Sequence, residues 1–532
     1  MPLETPARIV RALVSRGYNA EREAVTLIAG SDDPGLTLAQ VVESTPDDAL
    51  RITAVHVREV LASAPVSDPS GSETASDDEK TSSAHRKISG HDTDSHPPVS
   101  PATSPASPDV PESTSPSETG GSWSGRNPDF SLRSLAIAND MTGESTGTGE
   151  YDDFVKVFRD RYEKLSKMLR GRVNHRPAKA ISNMSGGEEA ELIGLVNDVR
   201  STKSGHWLIE LEDTTGTFPC LVMKDRDTAD AVNELLMDEC IAVQGTLSSD
   251  AGILFVDSLH FPDVPRGHRP NTADRHVQAA LISDVHVGSQ EFMEDAWNEF
   301  ANWLHTEEAE HVEYLLIAGD MVEGVGVYPN QDKELTIIDI YEQYEAFSEH
   351  LKQVPGDLDI VMIPGNHDAV RLAEPQPGFD ENLRDIMSAH DPRIVSNPAM
   401  VNLEGVNILM YHGVSLDEVI AELPAEKASY DEPHKAMYQL LKKRHVAPQF
   451  GGHTRLAPEE QDYLVMEEVP DIFHTGHVHK LGWGKYHNVL AVNSGCWQSQ
   501  TDFQKSVNIN PDSGYAPIVD LDTLSMTVRK FS

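Results

Sequence analysis

Five polar clusters, each closing a short apolar run, constrain this chain more than any other feature. The runs cover residues 277–283, 314–318, 358–363, 406–411 and 472–475. They end in Ser283-Asp284-Val285-His286, Ala318-Gly319-Asp320, Pro364-Gly365-Asn366-His367-Asp368, Tyr411-His412-Gly413 and Thr475-Gly476-His477-Val478-His479. Runs of this length read as buried strands, and a sixth covers 489–493. Amphipathic helices fall between them, such as 294–308 with Trp297, Phe300 and Leu304 on one face. The alternation predicts a layered α/β domain over residues 275–532. Ligands of open α/β sheets sit beyond the carboxyl ends of strands, so all five clusters should meet at one site.

The residue types agree with that placement. Asp, His and Asn together suit borderline-hard divalent ions such as Mn²⁺, Fe²⁺ or Zn²⁺. In Asp284-x-His286 and His477-x-His479 the spacing turns both side chains to one face of an extended backbone. Asp284, His286, Asp320, Asn366, His412, His477 and His479 exceed what one ion needs, so two ions sharing a carboxylate are expected. Such a pair clamps the attacking and leaving oxygens of a phosphoryl ester and activates a water.

The rest of the chain divides by composition. Residues 1–64 carry apolar residues at helical spacing and predict a small helical module suited to docking or oligomerisation. From 65 to 149 Ser, Thr, Pro, Asp, Glu and Gly dominate, and a disordered linker is expected because too little apolar surface is available to offset ordering entropy. Within it, Phe130, Leu132, Leu135 and Ile137 form a short apolar stretch that could bind a partner or be a failed helix. A connecting helix is expected within 150–175, with Phe154, Val155, Phe158, Tyr162, Leu165 and Leu169 along one face. Residues 176–265 then read as three strands, a helix over 228–237 and two more strands, the pattern of a five-stranded OB-type barrel.

Charge and composition exclude several classes. Lys+Arg 43 against Asp+Glu 86 leaves a net charge of −43, spread along the chain rather than held in one tail. Self-repulsion of that size implies a salty solvent, and halophilic adaptation is the reading. Arg8, Arg11 and Arg16 interrupt any signal-peptide core, and no apolar run reaches membrane-span length. The three cysteines form no CxxC pair, which argues against a disulfide framework or a cysteine zinc site. A soluble, cytoplasmic protein is expected.

The five clusters together resemble the full motif set of the calcineurin-like metallophosphoesterases. With an OB-type barrel in front, the chain is similar to the small subunits of replicative DNA polymerases, and specifically to the proofreading small subunits of archaeal family-D polymerases. Residues 459–465 (Glu-Glu-Gln-Asp-Tyr-Leu-Val) and 496–503 (Cys-Trp-Gln-Ser-Gln-Thr-Asp-Phe) also look like that family. The resemblance covers about residues 150–532.

It implies that Asp284, His286 and His479 hold a first ion, that Asp320 bridges, and that Asn366, His412 and His477 hold the second. His367 would face the scissile phosphate, with Asp368 orienting it. The implied activity is 3′→5′ exonuclease, releasing nucleoside 5′-monophosphates with Mn²⁺ as the foremost ion. The implied partners are a large polymerising subunit, a DNA primer 3′ end and single-stranded DNA. A catalytically silent scaffold and a stand-alone repair nuclease or phosphodiesterase are the alternatives.

Weaker candidates remain. His453 and Arg455 could line the substrate channel. Lys442-Lys443-Arg444-His445, the densest basic run, could guide a phosphate backbone or be a solvated helix end, and Trp483 and Trp497 could stack a terminal base but read more readily as core packing. His474 reads as buried structure. A chain this acidic should repel DNA, so affinity is expected to come from the ions and the large partner.

Overall fold

The computed structural model describes residues 13, 19–20, 22–29, 31, 34–45, 51–63, 125–126, 128–145, 149–328, 331–506 and 509–532. They belong to two units, residues 1–115 and 116–532. In the first unit β1 (Asn19–Ala20) leads into α1 (Arg22–Ala29) and α2 (Pro34–Ser44). Then β2 (Arg51–Ile52) pairs in parallel with β1 and precedes α3 (Ala54–Ser63). Leu13, Val25, Ile28, Leu38, Val41, Ile52 and Val57 make a small core of their own.

The second unit begins with a departure from the sequence reading. Residues 128–145 do not belong to a disordered linker, and residues 64–124 lie outside the described part of the chain. Leu135–Ala138 is a strand, β3, and neither a failed helix nor a free partner motif. Its alternating side chains place Leu135 and Ile137 against the core while its backbone pairs with a neighbouring strand. Arginines anchor the segment. Arg126 binds Asp357 (2.9 Å) and donates to the Ala309 carbonyl (2.6 Å), and Arg133 binds Glu313 (2.7 Å) and Asp359 (3.1 Å).

Next comes α4 (Tyr151–Leu169), whose apolar stripe at helical spacing is buried on one side. Tyr162, Leu165 and Leu169 pack with Ile193, Cys240 and Ala242 of the following strands and with Val465, far along the chain. Strands β4 (Glu189–Ser201), β5 (Trp207–Asp213), β6 (Gly216–Val222), β7 (Cys240–Leu247) and β8 (Leu254–His260) close into a barrel in the order β4-β5-β6-β8-β7. The helix predicted over 228–237 stops at Val232, beyond which Glu234 turns inward to meet Lys427 and Lys442.

Two six-stranded sheets follow. One contains β9 (Gln278–Ile282), β10 (Val312–Ala318), β11 (Asp359–Ile363) and β12 (Arg393–Ile394), all parallel, with the antiparallel pair β18 (Tyr515–Asp520) and β19 (Ser525–Lys530) beside β9. The other contains β13 (Ala399–Leu403), β14 (Val406–Met410), β15 (Ile472–Thr475), β16 (Leu481–Tyr486) and β17 (Val489–Ser494), with β3 on the free side of β13. Ala279, Leu281, Leu316 and Val361 of the first sheet share a core with Val401, Ile408, Ile472 and Leu490 of the second. The opposite face of the first sheet packs on α5 (Glu294–Leu304), α6 (Ile340–Leu351) and α7 (Glu381–Ile386). That of the second packs on α8 (Ser415–Glu422) and α9 (Pro433–Lys443). Each expected strand is present, and the five that end in a polar cluster are followed by it. Among the described residues no helix is long and apolar enough to cross a membrane.

Candidate metal centre

Backbone hydrogen bonds tie the loop after β9 to that after β10 and the loop after β15 to that after β14, while the carboxylates of Asp320 and Asp284 take the N–H groups of His367 (2.8 Å) and His477 (2.9 Å). Asp284 N–H donates to the Gly319 carbonyl (3.0 Å), His286 N–H to that of Asp320 (3.1 Å), and Gly476 N–H to that of His412 (2.8 Å). Asp284, His286, Asp320, His477 and His479 all have positive φ, between 52° and 71°. The Asp-x-His and His-x-His segments are therefore not the extended backbone their spacing suggested. Left-handed backbone costs a residue with a side chain roughly 1–3 kcal/mol and persists where surrounding structure enforces it, commonly at functional sites. Glycines make the remaining room. A Cβ at Gly365 would fall on the Asp320 carboxylate, and one at Gly476 on that of Asp284.

Ligand-type atoms converge as a result. His286 Nε2 faces His479 Nε2 at 3.0 Å, and the Asp284 carboxylate lies 3.4 Å from His479 Nε2. His412 Nε2 is 3.2 Å from Asp320 and 2.9 Å from Asn366 Oδ1. Three sets each bring their ligand atoms within 4.8 Å of one another: Asp284, His286 and His479; His286, Asp320 and His367; Asp284, Asp320 and His412. The first set is the trio expected at one ion; the third joins His412 to Asp320 and also to Asp284, so Asp284, and not Asp320, is the residue common to the first and third sets. His367, expected to stand clear of the ions, lies within reach of His286 and Asp320.

The outer nitrogens of the rings are held. His286 Nδ1 is 2.9 Å from Glu323, His479 Nδ1 is 2.9 Å from Gln504, and His412 Nδ1 donates to the Ala318 carbonyl at 2.8 Å. Imidazole nitrogens facing inward while a carboxylate, amide or carbonyl grips the far nitrogen is the arrangement that orients metal-binding histidines. Three imidazoles with two carboxylates form a mixed N/O set that suits borderline divalent cations. The residues present therefore fit such an ion.

Electrostatics point the same way. Burial alone would raise Asp320, yet His412 and His367 hold it well below the ordinary carboxylate range. Burial opposes the charged form of His412, and Asp320 outweighs it, holding the imidazole up to about 10. His286 is pulled down by burial.

Two expected roles change. Asp368 does not orient His367. It accepts hydrogen bonds from the N–H groups of Gly365 (2.8 Å) and Asp320 (2.9 Å) and from the Tyr344 hydroxyl (3.0 Å), clasping the β10 and β11 loops together. Burial and the neighbouring Asp320 charge push it up to about 7. His367 instead donates from Nδ1 to the Glu323 carbonyl at 2.7 Å. Glu323 thus serves two histidines, His367 through its backbone and His286 through its carboxylate. Burial would raise that carboxylate, but His286 holds it down to about 2. Sequence reasoning missed Glu323 because one glutamate three positions after Gly-Asp has no signature of its own. His477 stands beside the cluster, its ring 5.2 Å from that of His412, and donates from Nε2 to Asp417 at 3.1 Å.

Family comparisons bear on the whole chain. A family model for the B subunits of DNA polymerases alpha and epsilon matches residues 279–481. The DNA polymerase II small subunit of Halobacterium salinarum is 61% identical over 532 residues, covering 100% of both chains. The chain belongs to the small-subunit family of archaeal DNA polymerase II, the family-D small subunits. A member from Archaeoglobus fulgidus is 45% identical over 389 residues, covering 71% of this chain and 77% of its own. One from Methanocaldococcus jannaschii is 38% identical over 394 residues, covering 72% of this chain and 66% of its own.

In this family member the weaker candidates fall elsewhere. The basic run is internal and cannot guide a backbone. Lys443 is buried, reaching Glu239 (3.2 Å) and the Glu234 carbonyl (2.8 Å), and Arg444 donates to the Met466 carbonyl (2.6 Å). His445 contacts Asp462 at 3.0 Å. The run fastens the barrel and α4 to the second sheet. His453 and Arg455 are exposed and do not line the central cavity. Trp497 is core, Trp483 is exposed on β16, and neither lines the cavity. His474 is buried as expected, beside Ser494 (3.1 Å).

Proposed function

We propose that this small subunit is a metal-dependent phosphodiesterase of the calcineurin-like type, acting as the 3′→5′ proofreading exonuclease of a two-subunit replicative DNA polymerase. The observation that carries this reading is the convergence of Asp284, His286, Asp320, His412 and His479 from four separate strand ends, with Asn366 from a fifth. The barrel, read as an OB-type domain, and its attachment through α4 support a second role as scaffold for the large subunit. The name shared by the relatives supports such a partner.

Asp284, His286 and His479 would hold one divalent ion, Asn366 and His412 a second, and Asp320 would bridge. His477 would join the second ion through Nδ1, since Nε2 is committed to Asp417. Mn²⁺ is the foremost ion, with Fe²⁺ and Zn²⁺ also suited; when bound, such a pair polarises the phosphodiester and activates a water. The water oxygen bonds to phosphorus as the P–O3′ bond breaks. His367 supplies the proton that the leaving 3′-oxygen takes up. With Nδ1–H fixed on the Glu323 carbonyl, Nε2 is the atom that carries that proton. The product is a nucleoside 5′-monophosphate.

The test is a nuclease assay in molar KCl with Mn²⁺ on single-stranded DNA and a 3′-mismatched primer–template, with the chain alone and with its large subunit. Mononucleotide release that falls about 10²–10⁴-fold in His367→Ala is expected. Absence of cleavage under all these conditions would leave the scaffold reading.

A further inference from the structure

The site opens into a cavity of about 380 Å³ whose lining contains neither Lys nor Arg among the described residues. Asp320, Glu323 and Asp417 contribute acid to it instead. A polynucleotide backbone therefore meets no lysine or arginine here, only imidazoles and whatever ions the site holds, and in a salt-rich solvent phosphate contacts weaken further. Contacts that salt does not screen are then the better means of selecting the strand end.

Two tyrosines supply them. Tyr328 stands on the His367 side, its ring 6.3 Å from that imidazole. Its hydroxyl donates to Glu323 (3.0 Å) and lies 3.2 Å from Glu334. Tyr430 stands on the His477 side, its hydroxyl donating to Asp417 at 3.0 Å. Each ring is therefore one carboxylate away from a histidine of the site, through Glu323 to His286 (2.9 Å) and through Asp417 to His477 (3.1 Å). Both tyrosines line the cavity. Gln331 is buried and donates to the Glu323 carbonyl (2.9 Å) while accepting from Val327 N–H (2.9 Å), which fixes the loop carrying Tyr328.

We infer that Tyr328 and Tyr430 form a stacking clamp for the terminal nucleobase, which makes the site take an unpaired 3′ end in preference to a paired one. This rests on the phosphodiesterase reading above and names the feature of the substrate that the same site selects. A ring face receives any base, so the clamp is indifferent to sequence, and a base held in a duplex cannot enter it. Selectivity for mismatched ends then follows from fraying alone.

The experiment uses the full-length chain in molar KCl with Mn²⁺. Hydrolysis is compared on two single strands, one ending in a normal 3′ nucleotide and one ending in an abasic tetrahydrofuran unit. Quenching of a 3′-terminal 2-aminopurine is read in parallel. The normal end should be cut about tenfold or more faster than the abasic end. That ratio should fall toward one in Tyr430→Leu and Tyr328→Leu and persist in the two Tyr→Phe variants, with quenching lost and kept in the same pattern. Equal rates on both ends, with hydrolysis intact, would overturn the clamp and leave the phosphodiesterase reading standing. Quenching that depends on the rings without any hydrolysis would support the clamp and overturn the phosphodiesterase reading.

Discussion

Two buried knots of histidine and carboxylate lie in the second unit, and they obey opposite charge logic. In the knot that joins α4 to the second sheet, Asp462 receives Arg161 at 2.6 Å and His445 at 3.0 Å, and Arg161 gives another N–H to the Pro448 carbonyl at 2.5 Å. Arg161 holds the acid far below its ordinary range against the pull of burial. In the strand-end knot, imidazole nitrogens and carboxylates face one another around His286 and His479, and among the described residues no lysine or arginine pairs with Asp284 or Asp320. The first knot is closed by its own cation. The second has the donor set of a site that takes its cation from solution. Residue type alone does not separate them; the presence of a guanidinium does.

Removing that guanidinium should have the largest effect. Arg161→Ala leaves Asp462 charged and buried, and about 3–5 kcal/mol of stability should be lost, read as a fall in denaturation midpoint. An unchanged midpoint would show that the knot is not held by charge. The same knot predicts pH dependence. Burial first, and Arg161 next, bring His445 down to about 4 from the 6.5 of an unfolded chain. The unfolded chain therefore takes up the extra proton first as pH falls. The stability His445 contributes is complete above about pH 6.5 and is lost between 6.5 and 4, by up to about 3 kcal/mol. His445→Gln should flatten the stability profile across that window, and an unaltered slope would refute the assignment.

The strand-end knot should respond in ion affinity more than in folding. Glu323→Gln keeps the backbone carbonyl that holds His367 but weakens the grip on His286, so Mn²⁺ affinity measured by calorimetry should drop about 10–100-fold. Full affinity in that variant would remove Glu323 from the site. The smallest effect is expected at Phe450, which meets Phe154 at 5.3 Å and Phe158 at 5.5 Å edge to face. Phe450→Ala should cost about 1 kcal/mol beyond lost area and leave Mn²⁺ binding untouched. A loss of Mn²⁺ binding there would show the two knots to be coupled.

What the sequence disclosed follows from which forces are local. The strand-end clusters were readable because short apolar runs and the Gly, Asp and His residues after them are contiguous, and sheet packing brings such ends together. The left-handed backbone at Asp284 and His477 was hidden, since it is imposed by neighbouring loops. The basic run at 442–445 was misread because its partners, Glu234, Glu239 and Asp462, are scattered along the chain. Tyr328 and Tyr430 gave no signal, each being an ordinary tyrosine until the fold set it at the cavity. Leu135-Ala136-Ile137-Ala138 has the period of a strand, but four residues amid Ser and Pro are too few to outweigh composition.

That short strand carries a practical consequence. β3 supplies the outermost ladder of its sheet, from Met400 paired with Ala138 to Leu403 paired with Leu135. A chain trimmed to begin at residue 150 would strip it away together with Arg126 and Arg133, orphaning Asp357 and leaving Glu313 to Arg275 alone. The edge of Met400–Leu403 would then lie open, a template for pairing with the same edge of another copy. Self-association of such a fragment would report the lost strand, and any shortened version meant to stay monomeric has to begin before Arg126.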